Sequence, residues 1–149
     1  MDVPSLRVFV YDDIIGRGVV PTAADVAVRF GVSREEALAA VRGAGIGKAL
    51  LADPATGEIW MAGPFSARPT PYRVRAHGRA WWANCAWDML GVASLVGGPA
   101  ELEASCTDCG APMPMRLGRD AEAGPEGAGE AVVHFLVPAR RWYEDIGFT

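Results

Sequence analysis

Cysteine, histidine and basic charge are all scarce in this chain. Three cysteines and two histidines occur in 149 residues. Three thiols cannot all pair within one chain, and a reducing compartment would leave them free for chemistry or metal, so a cytoplasmic protein is expected. Lys and Arg number 14 against 18 Asp and Glu, a net charge of −4. An electrostatic affinity for nucleic acid or for an anionic membrane is therefore not expected. No apolar run approaches the roughly 20 residues needed to cross a bilayer. Met1-Asp2-Val3-Pro4 also lacks the basic and apolar regions that open a signal peptide. No internal repeat, P-loop, G-x-G-x-x-G or Ser-His-Asp order stands out. What remains is half hydrophobic and 21% charged, sufficient for one domain or two small lobes sharing an interface.

The pattern predicts an α+β protein whose first lobe, residues 1–63, is helical and winged-helix-like. Val3, Leu6, Phe9, Val10 and Ile14 have helical spacing, ending near Gly16-Arg17-Gly18. Thr22 is positioned to cap a second helix, and Ser33-Arg34-Glu35-Glu36 forms a capping box for a third, which Gly43, Gly45 and Gly47 end. Strands are predicted at 49–52 and 58–62 across the turn Asp53-Pro54-Ala55-Thr56-Gly57. Helix-turn-helix order invites a DNA-binding interpretation. The lobe holds six Lys or Arg against eight Asp or Glu, however, and phosphate contacts need a basic face. Residues 64–79 form a proline-punctuated connector. A second lobe, 80–149, should be a mixed or antiparallel sheet with a central helix from about Ala80 to Leu95, stopped by Gly97-Gly98-Pro99. Its candidate strands are 100–105, 114–117 and 132–137, with a surface loop over 120–130 and a last turn from Pro138 through Trp142.

The chemistry-bearing stretch is Trp81-Trp82-Ala83-Asn84-Cys85-Ala86-Trp87-Asp88. On a helix, residues three apart share a face, so Cys85 and Asp88 can serve one pocket. A thiol beside a proton carrier suits work on an electrophile or a soft metal. The plain structural alternatives are a packed cysteine and a surface carboxylate paired with Arg79. Asp88 in an apolar setting is expected to hold its proton more tightly, as a proton shuttle requires.

Cys106-Thr107-Asp108-Cys109-Gly110 resembles half of a zinc knuckle. There is no second C-x-x-C, and only Cys85, His77 and His134 remain as further ligands. Zinc, a redox pair or two packing thiols are the competing readings. The redox motif normally opens a helix after a strand, whereas this one precedes Pro112 and Pro114. His134, in an alternating stretch, and the isolated His77 read as structural.

The run Gly78-Arg79-Ala80-Trp81-Trp82-Ala83-Asn84-Cys85-Ala86-Trp87-Asp88-Met89-Leu90 resembles the active-site helix of the organomercurial (alkylmercury) lyases. The resemblance continues through Leu95-Val96-Gly97, Ala104-Ser105-Cys106, Gly110-Ala111-Pro112, Val137-Pro138 and Trp142 to Thr149. In that family two cysteines and an aspartate cleave the carbon–mercury bond, and one cysteine and the aspartate fall on Cys85 and Asp88. The resemblance therefore implies Cys85 as the thiolate ligand of mercury and Asp88 as the proton donor. Cys106 aligns with a cysteine that the family uses structurally.

The family's second catalytic cysteine follows a stretch like Ile146-Gly147-Phe148-Thr149, where this sequence ends. Either the protein is naturally short or a further part follows. In the first case Cys106 or Cys109 would have to substitute, and an unpaired sheet edge would await a partner chain in a homo-oligomer. No cofactor is implied. Hg(II) would be product and ligand, held by Cys85 with Cys106 and Cys109 as further candidates, and zinc is the alternative occupant. The implied partners are a small organomercurial or its thiol adduct, then a thiol carrier or mercuric reductase. The alternatives are a catalytically incomplete homologue that binds soft metal or regulates, and a different thiol-dependent enzyme on the same scaffold.

Overall fold

The computed structural model of the chain describes residues 1–45, 50–119 and 124–146. Helix α1 (Val3–Arg17) starts where the Asp2 carboxylate accepts the Ser5 amide at 2.8 Å. Its Leu6, Val10 and Ile14 recur every fourth residue and are all buried. Gly18, at φ 81°, ends it in the left-handed conformation that favours glycine. Helix α2 (Ala23–Phe30) is capped by Thr22, and helix α3 (Arg34–Ala44) opens with the expected Ser33–Glu36 capping box. One carboxylate ties these helices to the sheet. Glu58 accepts the Ala23 amide at 2.6 Å and pairs with the Arg34 guanidinium at 2.5 Å.

Seven strands follow: β1 (Leu50–Ala52), β2 (Ile59–Ala62), β3 (Phe65–Ser66), β4 (Arg73–Ala76), β5 (Arg79–Ala83), β6 (Ala100–Ser105) and β7 (Pro112–Leu117). They form one antiparallel sheet in the order β1-β2-β3-β5-β4-β6-β7. Helix α4 (Ala86–Val96) packs against β4, β5 and β6, burying Met89, Val92 and Ala93. The core runs without a break from Leu6 and Val10 through Phe65 and Trp81 to Val92 and Leu102. The buried Trp81 indole fastens the layers by donating to the Ile14 carbonyl at 2.8 Å.

Three sequence expectations are corrected. The predicted helix from Ala80 is a strand as far as Ala83, and the helix begins only at Ala86. Trp81 and Ala83 face the core while Arg79 is exposed, and aromatic side chains favour a half-buried pleated surface. His77 and Gly78, at φ 51° and 72°, make the two-residue turn that pairs β4 with β5. Two successive positive φ values suit the right-handed twist of a tight hairpin. The connector is likewise not plain linker, since it contributes β3 and β4 to the sheet. Residues 132–137 form no strand. Beside β7, the bridge Arg116–Glu126 takes the place where another strand would pair, and Val132 and Leu136 stay exposed.

Other expectations hold. Strand β6 spans 100–105 as predicted, and β7 begins two residues early, at Pro112, on the sheet edge where proline is tolerated. Gly97 ends α4, and a 3-10 turn over Ala139–Glu144 follows Pro138. Gly47, Ala49, residues 120–123 of the predicted loop and 147–149 lie outside the described residues.

Trp81→Phe keeps one aromatic ring but removes the pyrrole half of the buried indole with its N–H donor. A loss of about 2–3 kcal/mol of stability is expected, mostly from the vacated volume, because Ile14 keeps a second donor, the Gly18 amide at 2.8 Å. Urea unfolding measures it.

Candidate functional site

Cys85 sits at the turn from β5 into α4 as the N-cap of the helix, and its extended backbone (φ −149°, ψ 179°) is ordinary for that position. Its sulfur accepts the Asp88 amide at 3.3 Å. The Asp88 carboxyl therefore stands beside the thiol on the first turn of the helix. The pair foreseen from spacing is therefore formed, by a cap and the first turn of a helix rather than by two mid-helix positions. Both side chains are half-buried.

Asn84, which the sequence analysis gave no role, organises the carboxylate. Its carboxamide nitrogen donates to Asp88 Oδ2 at 3.2 Å and to the Pro64 carbonyl at 2.9 Å. Its backbone amide also donates to Pro64, at 3.2 Å. With both amide hydrogens engaged by acceptors, the carboxamide orientation is determined, and its oxygen is buried without a hydrogen-bond partner. Tyr11, also missed, brings α1 to this place. Its hydroxyl donates to the Gly63 carbonyl at 2.7 Å, and its phenol lies within electrostatic reach of Asp88. Asn84 lies four residues before Asp88, a local spacing that carried the signal, whereas Tyr11 and Gly63 are 52 residues apart and out of reach of local spacing.

Burial governs the titration of the pair. It pushes the Cys85 thiol above its ordinary 9.0, against the Asp88 amide, which favours the thiolate; the negative Asp88 carboxylate adds to the upward shift. Asp88 is likewise raised from 3.8 by burial, with the Asn84 and Cys85 hydrogen bonds opposing. Burial thus disfavours the charged form of both groups.

An aromatic cluster gathers on Trp87 in the first turn of α4. Trp87 meets Phe135 edge-on with centroids 6.2 Å apart, and Phe135 lies 5.1 Å from Trp142. The segment expected as a strand instead folds this ring back onto the start of α4. Two surface hollows, one by Arg42 and Asp53–Gly57 and one by Phe9 and Arg29, lie elsewhere on the chain. Neither is lined by Cys85 or Asp88.

The remaining candidates separate from this pair. Arg79, the proposed partner of Asp88, donates instead to the His77 carbonyl at 3.4 Å. His77 bonds the Gly97 carbonyl at 2.7 Å, a structural tie, and His134 is exposed. Cys106 and Cys109 share their own turn after β6. Among the described residues no three His, Cys, Asp or Glu gather into a metal-binding group, so Cys85, Cys106 and Cys109 are not one ligand set.

A family model described as alkylmercury lyase matches residues 65–148. The chain belongs to the alkylmercury lyase family. No curated protein matches it. Among solved structures, the mercury-bound form of MerB2 is similar, with a TM-score of 0.57 at 20% identity over 77% of this chain. The match covers 54% of that protein's chain, so this chain spans about half its length. The likeness gives a lyase-family fold of helices on an antiparallel sheet, and the matched region contains Cys85 and Asp88.

Two outcomes follow for the pair. The folded protein holds the Asp88 proton more tightly than the unfolded chain does. Its contribution to stability is thus present below pH 3.8 and lost as pH rises through the folded value. Asp88→Asn, neutral throughout, should raise the urea midpoint at neutral pH, and the gain should vanish at acid pH. Alkylation by iodoacetamide at neutral pH should be slower at Cys85 than at Cys106, and Asp88→Asn should speed it at Cys85. Peptide mass spectrometry reads both rates.

Proposed function

We propose that this alkylmercury lyase-family chain cleaves carbon–mercury bonds by protonolysis, with Cys85 as the mercury ligand and Asp88 as the proton donor. The observation that carries this reading is the Cys85 sulfur capping α4 by accepting the Asp88 amide, which sets thiol and carboxyl side by side on the first turn. Mercury enters as substrate, an organomercurial already bound to a small thiol. As the Cys85 sulfur forms its bond to mercury, its S–H bond breaks and the proton passes to Asp88. Soft sulfur selects this metal, and a second sulfur on mercury puts charge on the attached carbon. Asp88 then gives the proton to that carbon, the carbon–mercury bond breaks, and hydrocarbon leaves. Hg(II) remains between Cys85 and the incoming thiol, and the carboxylate is restored.

The thiol proton thus ends on the hydrocarbon, and no outside acid or reductant is consumed. A raised carboxyl pKa favours this cycle, because an acid that holds its proton until carbon accepts it is an effective donor. Asn84 aims the carboxylate. The small thiol of the substrate supplies the second sulfur, since Cys106 and Cys109 do not join Cys85 in one group. That same separation favours a second reading, a family member that binds mercury at Cys85 without cleaving the bond. Transfer of Hg(II) to a thiol carrier or mercuric reductase, and action in the cytoplasm, complete the proposal.

Incubation with phenylmercury and excess thiol, with benzene measured by gas chromatography, distinguishes them. Benzene release is expected, abolished in Cys85→Ser and slowed about 10²–10⁴-fold in Asp88→Asn. Tight mercury binding at Cys85 with no benzene would reject the lyase proposal in favour of the binder.

A further inference from the structure

We propose that Asn84 is a positioning residue for the proton transfer, occupying Asp88 Oδ2 so that Asp88 Oδ1 takes the thiol proton and delivers it to carbon. This inference rests on the lyase reading and names the oxygen which that reading leaves open. Asn84 is the only carboxamide side chain of the protein, which has no other Asn and no Gln. Its Nδ2 donates at 2.9 Å to the Pro64 carbonyl and at 3.2 Å to Asp88 Oδ2. Turned over, the group would set its oxygen against those same two acceptors, so only one orientation is favourable.

The acceptor that orients Asn84 is itself fixed. Phe65 pairs with Ala83 between β3 and β5, which sets Pro64 opposite Asn84, and the Asn84 backbone amide also donates to the Pro64 carbonyl, at 3.2 Å. The preceding carbonyl, that of Gly63, accepts the Tyr11 hydroxyl at 2.7 Å. On the other side, a Cβ at Gly91, three residues beyond Asp88 on α4, would stand 3.4 Å from the Pro64 ring. Strand, helix α1 and helix α4 thus all bear on the corner from which Asn84 reaches the carboxyl group.

The carboxamide oxygen of Asn84 is buried with no hydrogen-bond partner, and an orphaned buried carbonyl costs stability. A leucine of similar size would carry no such orphan, so packing alone gives no reason for a carboxamide here. What the carboxamide supplies is a donor aimed at one side of Asp88. A neutral carboxyl group that accepts an N–H presents its carbonyl oxygen there, which leaves the O–H on the other oxygen. In the reaction the Cys85 S–H bond breaks as sulfur bonds mercury, and an O–H bond forms at Asp88 Oδ1. That O–H bond then breaks, a C–H bond forms with the electron pair of the carbon–mercury bond, and Asp88 returns to the carboxylate. No further reactant enters.

Two measurements test the assignment. Labelled with 15N, the chain has a single side-chain carboxamide pair in its NMR spectrum, that of Asn84. The pair is expected to exchange slowly with solvent and to shift in Asp88→Ala. In phenylmercury cleavage with excess thiol, Asn84→Leu should lower kcat about 10²-fold through misplacement of the acid, with circular dichroism verifying the fold. KM and mercury retention at Cys85 should stay unchanged, and in an Asp88→Asn background Asn84→Leu should cost nothing further. A merely structural role would weaken mercury retention and cost as much in both backgrounds, and that result overturns the proposal. So does an amide pair unmoved by Asp88→Ala. Full kcat in Asn84→Leu removes this inference alone, whereas absence of benzene from the unaltered chain removes the lyase reading and this one with it.

Discussion

The turn from β5 into α4 is the constraint on which the site depends. A helix start exposes amides that favour an anion, and here the anion-capable group is a thiol. Were the turn open to water, those amides would draw Cys85 towards the thiolate. Burial nonetheless prevails, and the negative Asp88 next to it adds to the effect. The outcome is a thiol that keeps its proton beside a carboxyl group whose own proton affinity is raised. That is a stored proton with a soft ligand beside it.

The rest of the molecule holds this turn in place from two directions. Trp81, four residues before Cys85, is anchored to the end of α1 through the Ile14 carbonyl. Pro64, at the start of the connector, accepts from both nitrogens of Asn84. Strand β5 is central in the sheet, with β3 and β4 on its two sides, so its exit point is well determined. Helix α4 then approaches the connector closely enough that a Cβ at Gly91 would touch the Pro64 ring at 3.4 Å. Helix α1 therefore braces the chemistry through Trp81 and through Tyr11, whose hydroxyl donates to the Gly63 carbonyl.

Local signals in the chain were easy to interpret where a single turn of backbone decides the outcome. Ser33 with Glu36, Thr22, Gly18 and Gly97 each satisfy or end a helix through atoms only a few residues away, and each is found where spacing predicted it. The failures share a different cause. Trp81-Trp82-Ala83 suits a buried helix as well as a strand by apolarity alone, and the His77-Gly78 turn that settles the matter is an uncommon form of the hairpin signal. The alternating residues after Val132 have strand periodicity, but a strand also needs a neighbour, and the edge of β7 is bridged by Glu126.

Sequence by itself determined the ends of the helices other than the start of α4, the α+β class and the nearness of Cys85 to Asp88, since three residues separate them in either a helix or a cap. Tertiary structure alone decided the environment of that pair. Which lone pairs Asn84 occupies, how much water reaches the sulfur, and where Tyr11 and Phe135 arrive all depend on segments tens of residues away. Proton affinity in a protein is set by such surroundings, through desolvation and hydrogen bonding, and no spacing within the motif encodes them.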